Sequence, residues 1–507
     1  MMKTIVLHQT LTWSEVAAIA KQQALLELSP AARARLEAAS AIVQAIVEQG
    51  VRGYGITTGV GALSDVAITR EQQAMLSRNI LMSHAAGMGA SLGVAETRAI
   101  MAAAINNFAH GYSGLRPVVV ERLVLLLNSG CTPEVPRQGS VGYISHMAQI
   151  GLLLIGYGHA VLNGERMTAG DALSRLELKP LILEAKEGLC LVNGTPCSTG
   201  LASLALSHAG QLLEWADTIA AMTFETQRCQ LRAISPPTVA VRKAPGLRLV
   251  AEEMNRLLQG SAILASARGR RFQDALSLRA IPHVHGAVHD AWLSVATAID
   301  LELSSVTDNP IVTGSPAAPE VYSEAHAVGA AMGLGMDQLA VAMAELGAIS
   351  ERRTDRMVNP LVSGFPAFLA EGSGVASGFM IAQYSAASLV AENRRLAAPA
   401  SLDGGITSAL QEDILVHPTP GALKALDILA NLRHLLAIEL LAACQSYDFL
   451  GSDPAPAPRL GTIHQALRTE IKIYADDRPI GEDIAAASRF IAERQATLIL
   501  QDAGLSP

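Results

Sequence analysis

The chain has 507 residues, and its 38 Lys and Arg against 46 Asp and Glu give a formal net charge of −8, with no basic footprint for nucleic acid. Half the residues are hydrophobic and only 17% are charged, which excludes a disordered chain and predicts a large aliphatic core. The 5 cysteines include no close CxxC pair, so neither a disulfide framework nor a zinc knuckle is implied and a reducing cytoplasm fits best.

Thr4 to His8 has the β-branched character of a short strand, followed by Thr12 or Ser14 as an N-cap for a helix from Glu15 to Ala20. Met1 to Trp13 lacks the apolar core of a secretion signal, so export is not expected. Apolar residues at helical spacing then predict helices over Ala32–Glu48, Ala95–His110, Pro117–Ser129, Gly200–Arg228, Val288–Ser304 and Ala325–Arg353. Tyr143 to Leu162 is the longest apolar stretch. His146, Gln149 and His159 interrupt it, which argues against a membrane span and for a buried helix. Gly and Pro clusters at Gly53–Gly61, Gly130–Gly142, Gly188–Gly200, Asp308–Pro319, Asn359–Gly378 and Pro418–Gly421 bound these blocks. After a stiff connector at Gly451–Arg459, two amphipathic helices are expected at Thr462–Ala475 and Ile480–Leu500. The chain reads as mainly α: an N-terminal region of active-site loops at 1–200, a central long-helix bundle at 201–450, and a linker with helices at 451–507. Several of the long helices are apolar on more than one face, as in a bundle core or a subunit interface.

The loops carry the unusual residues. Gly53-Tyr54-Gly55-Ile56-Thr57-Thr58-Gly59-Val60-Gly61 sets one tyrosine among four glycines, allowing close backbone approach to a ligand, and it lacks the spacing of a dinucleotide fingerprint. Arg78-Asn79-Ile80-Leu81-Met82-Ser83-His84, Arg137-Gln138-Gly139-Ser140-Val141-Gly142 and Glu187-Gly188-Leu189-Cys190-Leu191-Val192-Asn193-Gly194-Thr195 follow. Further on come Ser277-Leu278-Arg279, Thr307-Asp308-Asn309-Pro310, Ser377-Gly378-Phe379-Met380 and Gln411-Glu412-Asp413. In this order, from about Ser40 to Asp413, the series resembles the aromatic amino acid ammonia-lyases of the histidine ammonia-lyase type.

The resemblance implies a long-helix bundle assembled as a homotetramer, with no nucleic-acid or membrane partner, acting on a histidine-like or aromatic amino acid. Such enzymes eliminate the α-amine and a β-proton to give an arylacrylate. They use a loop tyrosine as base and a methylidene-imidazolone formed from an internal Ala-Ser-Gly as electrophile. Tyr54 matches the tyrosine. A phenol with its ordinary pKa of about 10 needs nearby cations or donors to act as a base at neutral pH. Arg279 is expected either to supply that field or to clamp the substrate carboxylate. Asn193 and Asn309 match residues that hold cofactor and substrate, His84 a residue that discriminates side chains, and Glu412 an acidic residue near the substrate ring or amine; Gln411 and Gly61 are expected to bind substrate with them.

The match breaks after Gly142. Where the family continues Ala-Ser-Gly-Asp-Leu-x-Pro-Leu, this chain reads Tyr143-Ile144-Ser145-His146-Met147-Ala148-Gln149-Ile150, so the electrophile-forming triad is absent and no cofactor is expected. Other family positions are replaced by Leu276, His283, Glu324-Ala325-His326, Leu410 and Ile414. His283, His285, His289, His326 and Glu324 have metal-ligand chemistry, yet histidines at helix starts are commonly structural, and no metal is expected. Besides the ammonia-lyase reading, the sequence leaves open an imidazolone-independent lyase or isomerase on a more activated substrate, and a non-catalytic binding or regulatory paralogue.

Overall fold

A computed structural model describes residues 3–372, 374–402 and 404–505. Helices dominate, led by Pro196–Thr226, Ile281–Leu303, Ala330–Val358 and Pro418–Leu450. The chain divides into two compact units, each built from three stretches: Met1–Ser207, Val295–Asp337 and Pro399–Leu423 in the first, His208–Ser294, Gln338–Ala398 and Lys424–Pro507 in the second.

The first unit begins as the sequence suggests. Strand Lys3–Leu7 leads to helix Trp13–Ala20, where Thr12 and Glu15 form a reciprocal capping box that satisfies two otherwise orphaned amides. A second strand, Ala24–Leu28, pairs in parallel with the first; its Ala-Leu-Leu-Glu-Leu sequence has helical propensity, which the backbone ladder overrides. Ser29 then caps helix Pro30–Gln49, with Pro30 in the first turn and Gly50 ending it at φ +65°. Buried Arg98 on helix Val94–Ala109 donates to the carbonyls of Ile19 at 2.9 Å, Ala20 at 3.2 Å and Leu127 at 2.5 Å. One cation thus satisfies the C-terminal carbonyls of two helices, Trp13–Ala20 and Pro117–Asn128, where the helix dipoles favour positive charge.

The stretch Tyr143–Leu162 is not one buried helix. Only Ser145–Leu154 is helical, and His159–Leu162 turns into a strand paired with Cys131–Pro133 and Glu165–Thr168. Asn163 and Gly164, both at positive φ, form the tight turn of that hairpin. Pro418–Gly421 is likewise no breaker: it is the first turn of a 33-residue helix, the place where proline costs no hydrogen bond. Near the C-terminus, the helices run Pro458–Arg468 and Ile480–Glu493, and Arg494 interrupts the second before Ala496–Asp502.

Two buried ion pairs organise the interior. In the first unit, Lys186 and Asp308 are both wholly buried, with Nζ 3.0 Å from Oδ2; the ammonium also donates to the Ser113 carbonyl at 2.7 Å and approaches Cys190 Sγ at 3.1 Å. In the second, Arg353 forms a two-pronged pair with Glu439 at 2.6 and 2.9 Å, and Glu439 also accepts from Ser350 and Thr223. Arg353 extends to His285 Nε2 at 3.1 Å, and His285 Nδ1 meets Asp217 at 2.7 Å. Because a guanidinium only donates, His285 accepts on Nε2 and carries its proton on Nδ1. Helix Ala330–Val358, apolar enough by composition to cross a membrane, holds buried Arg353 and has a little over half of its most apolar window buried within the protein.

Replacing Lys186 with Met should lower unfolding free energy by about 3–5 kcal/mol, since Asp308 would be left buried without its partner; adding Asp308→Leu should recover much of that loss. Denaturant unfolding of the single and double variants measures both. Burial holds His285 below its ordinary pKa, against the opposing pull of Asp217, and burial lowers His110 and His146 as well. The unfolded chain therefore binds protons first, and stability present above the unfolded histidine value of about 6.5 is lost as pH falls below it. The thermal midpoint should drop between about pH 7 and pH 5, and a flat profile would contradict this account.

Candidate active site

The tyrosine loop and the groups packed on it lie in the first unit. The Gly53–Gly61 loop is held by short local bonds: the Gly53 amide donates to Thr57 Oγ1 at 2.9 Å, and Thr57 donates in turn to the Val51 carbonyl at 2.9 Å. Tyr54 folds back so that its hydroxyl accepts the Gly61 amide at 2.9 Å, which places the half-buried phenol inside the loop's own curve. Gly61 sits at φ +56°, a conformation that favours glycine, and a Cβ there would stand 2.5 Å from Ser408 Oγ. The tyrosine loop therefore packs directly on the Ser408–Leu410 turn, which leads into Gln411 and Glu412.

Glu412 is the hub of this cluster. Its Oε2 accepts from Thr407 Oγ1 at 2.8 Å and from the Tyr143 hydroxyl at 3.1 Å, while its charge acts on Tyr54 and His84. His84 ends helix Gln73–His84, with Nδ1 3.0 Å from Ser83 Oγ. Burial lowers its pKa, opposed by the Ile80 carbonyl and the Glu412 charge. Tyr54 moves the other way: burial raises its pKa most, Glu412 adds to the rise, and the Gly61 amide only partly offsets it. The donor expected to activate the phenol is present, but the net shift is upward, so the sequence expectation of a lowered pKa is corrected by desolvation.

Asn193 and Asn309 do come together. Asn193 Nδ2 donates to the Asn309 carbonyl at 2.5 Å, and Asn309 Oδ1 accepts from the Glu324 amide at 3.0 Å and Ser323 Oγ at 3.2 Å. Asn309 follows Asp308, the partner of buried Lys186, so the ion pair fixes the backbone that carries it. Gln411 is exposed, and its amide closes the turn onto the Ser408 carbonyl. Arg279 ends the short helix Leu276–Arg279 in the second unit, where it is half-buried. His285 and His289 in that unit both bond to Asp217, and His326 in the first unit pairs with Glu324 at 2.5 Å. With Arg353 donating to His285, these histidines are committed to hydrogen-bonded networks, and among the described residues no three potential ligands converge on a metal position.

Residues 139–150 do not fit the family's self-made electrophile. Cyclisation requires a small residue, a dehydratable serine and a glycine whose amide attacks. Here Ser140 donates to the Tyr143 carbonyl at 2.8 Å and accepts from the Gly142 amide, and Ser145, inside the first turn of a helix, is followed by His146. An Ala-Ser-Gly does occur at Ala376–Gly378 in the second unit, but the amides of Ser377 and Gly378 both donate to the Asp477 carboxylate, at 2.8 and 2.9 Å. Tyr143 and Thr407 are site residues that sequence reasoning did not single out. For Tyr143 the clue was its place, directly after Gly142 where the pattern breaks.

A family model for aromatic amino acid lyases matches residues 11–469. Over 494 residues the chain is 44% identical to a histidine ammonia-lyase of Symbiobacterium thermophilum, covering 97% of each. The solved histidine ammonia-lyase of Trypanosoma cruzi is similar with a TM-score of 0.92 at 33% identity, over 100% of this chain and 96% of that one. A tyrosine aminomutase from Streptomyces globisporus gives a TM-score of 0.93 at 30% identity, with 98% of each chain covered. Sequence, fold and the ordered motifs agree, and the chain belongs to the aromatic amino acid lyase family of carbon–nitrogen lyases.

Proposed function

We propose that this lyase removes the amine from a histidine-like or aromatic amino acid, with Tyr54 taking the β-proton. The observation that carries this reading is the Tyr54 phenol, tied by the Gly61 amide within a glycine-rich loop and acted on by the Glu412 charge, which also acts on His84. His84 and Glu412 would meet the substrate's ring or amine, and Asn193 and Asn309 would line the same pocket. The Arg279 guanidinium has the fork suited to clamp a carboxylate bidentately, which an ammonium does less well. Since residues 139–150 do not supply the family's electrophile, the elimination here runs on acid–base chemistry alone and favours a substrate whose β-proton is activated by its ring.

We further propose a cytoplasmic homotetramer. Leu293, Leu301, Leu334, Val341, Ile381 and Tyr384 are large apolar side chains exposed on long helices, as expected where subunits meet. Light scattering should return about four times the chain mass, and a monomer would contradict the proposal.

Incubation with histidine, tyrosine or phenylalanine should generate arylacrylate absorbance, and absence of turnover on all three by wild type would remove the ammonia-lyase reading. The base form of Tyr54 is the phenolate and its pKa is raised, so kcat/KM should climb with pH through neutrality into the alkaline range. Tyr54→Phe should lower kcat by about 10²–10⁴-fold and abolish that rise.

A further inference from the structure

We propose that Tyr143 is a second acid–base group of this site, donating a proton to the departing nitrogen beside the Glu412 carboxylate that its hydroxyl contacts. The inference rests on the proposed elimination and names the group that replaces the missing electrophile.

The backbone around Tyr143 is built to hold one ring in one place. Gly142 sits at φ +151°, where a Cβ would stand 2.7 Å from Pro418 Cδ, and its carbonyl accepts from buried Thr419 at 3.0 Å. The Tyr143 carbonyl accepts from Ser140 Oγ, and the Ile144 amide donates to the Val192 carbonyl at 2.9 Å. Ile144 itself stands at φ +77°, a conformation that a β-branched residue adopts only under strain. Strain of this kind, of order 1–3 kcal/mol, persists where surrounding contacts over-determine it and clusters at functional sites. What it fixes here is the half-buried Tyr143 ring, whose hydroxyl donates to Glu412 at 3.1 Å.

The titratable groups facing Tyr143 are Glu412 and Tyr54, and His84 faces the same carboxylate. Burial first, then the Glu412 charge and hydrogen bond, keep the Tyr143 phenol protonated well beyond neutral pH, the state a general acid needs. The chemistry balances without another reactant. The Tyr54 phenolate takes the β-proton, the Cβ–H electron pair forms the double bond, and the Cα–N bond breaks with its pair going to nitrogen. Tyr143 supplies a proton to that nitrogen, so a neutral α-amine leaves as ammonia. The proton gained by Tyr54 is then released to water and the Tyr143 phenolate takes one up from water, restoring both groups.

The test compares wild type, Tyr143→Phe and Tyr143→His in the arylacrylate assay across pH, with thermal melting as a check on folding. Tyr143→Phe keeps the ring and removes only the hydroxyl. It should lower kcat by about 10²–10⁴-fold with KM little changed, and should abolish the alkaline limb of the profile that reports the acid. Tyr143→His restores a donor and should recover part of the loss, with the limb moved to lower pH. An active wild type together with an equally active Tyr143→Phe overturns the role of Tyr143 and leaves the elimination standing. If Tyr143→Phe fails to fold, a Tyr143→His enzyme with an unmoved alkaline limb overturns it instead. A wild type inactive on every amino acid tested overturns the elimination, and this inference with it.

Discussion

The first unit depends on one charge pair sealed from water. Lys186 and Asp308 lie far apart in sequence, and neither tolerates burial without the other, so the Glu187–Thr195 segment and the Asp308–Asn309 loop must fold against each other. Everything polar nearby follows that docking: Asn193 reaches the Asn309 carbonyl, the Thr195 amide reaches Thr307, and Thr307 reaches Asn107 on helix Val94–Ala109. The interaction is expensive in desolvation and specific in geometry, which is the combination that selects one arrangement over near neighbours.

The second unit uses the same principle with a larger network. Asp217, His285, Arg353 and Glu439 come from four different helices and satisfy one another where aliphatic side chains alone would allow the helices to slide. Leu and Ala are the most numerous of the buried apolar residues. The polar atoms decide the register, because a shift of one residue would leave charges unpaired.

How much of this could be read from sequence varied with the kind of constraint. Long helices were legible because apolar period and caps agree, as at Thr12, Ser29 and Gly50. Strand Ala24–Leu28 was not, since its residues favour helix and only a partner strand makes it extended. The hairpin at Asn163-Gly164 carried a plain turn signature that the surrounding apolar run obscured. At the candidate site, the ordered motifs mark Tyr54, Gly61, His84 and Glu412; the Gly61 amide bonds the Tyr54 hydroxyl, and the Glu412 charge acts on Tyr54 and His84. The upward shift of Tyr54 was not legible, because desolvation depends on packing that no motif encodes. Tyr143 escaped notice because a departure from a pattern reads first as a loss, and its contribution appears only once Glu412 is placed opposite it.

The left-handed turn at Ile144 has a consequence for how this scaffold diverges. A glycine there would relax the turn and make the protein sturdier, while freeing the aromatic side chain beside it to wander. Robustness alone would therefore favour glycine at this position, and the cost of holding an isoleucine in so uncomfortable a conformation is tied to the ring it aims.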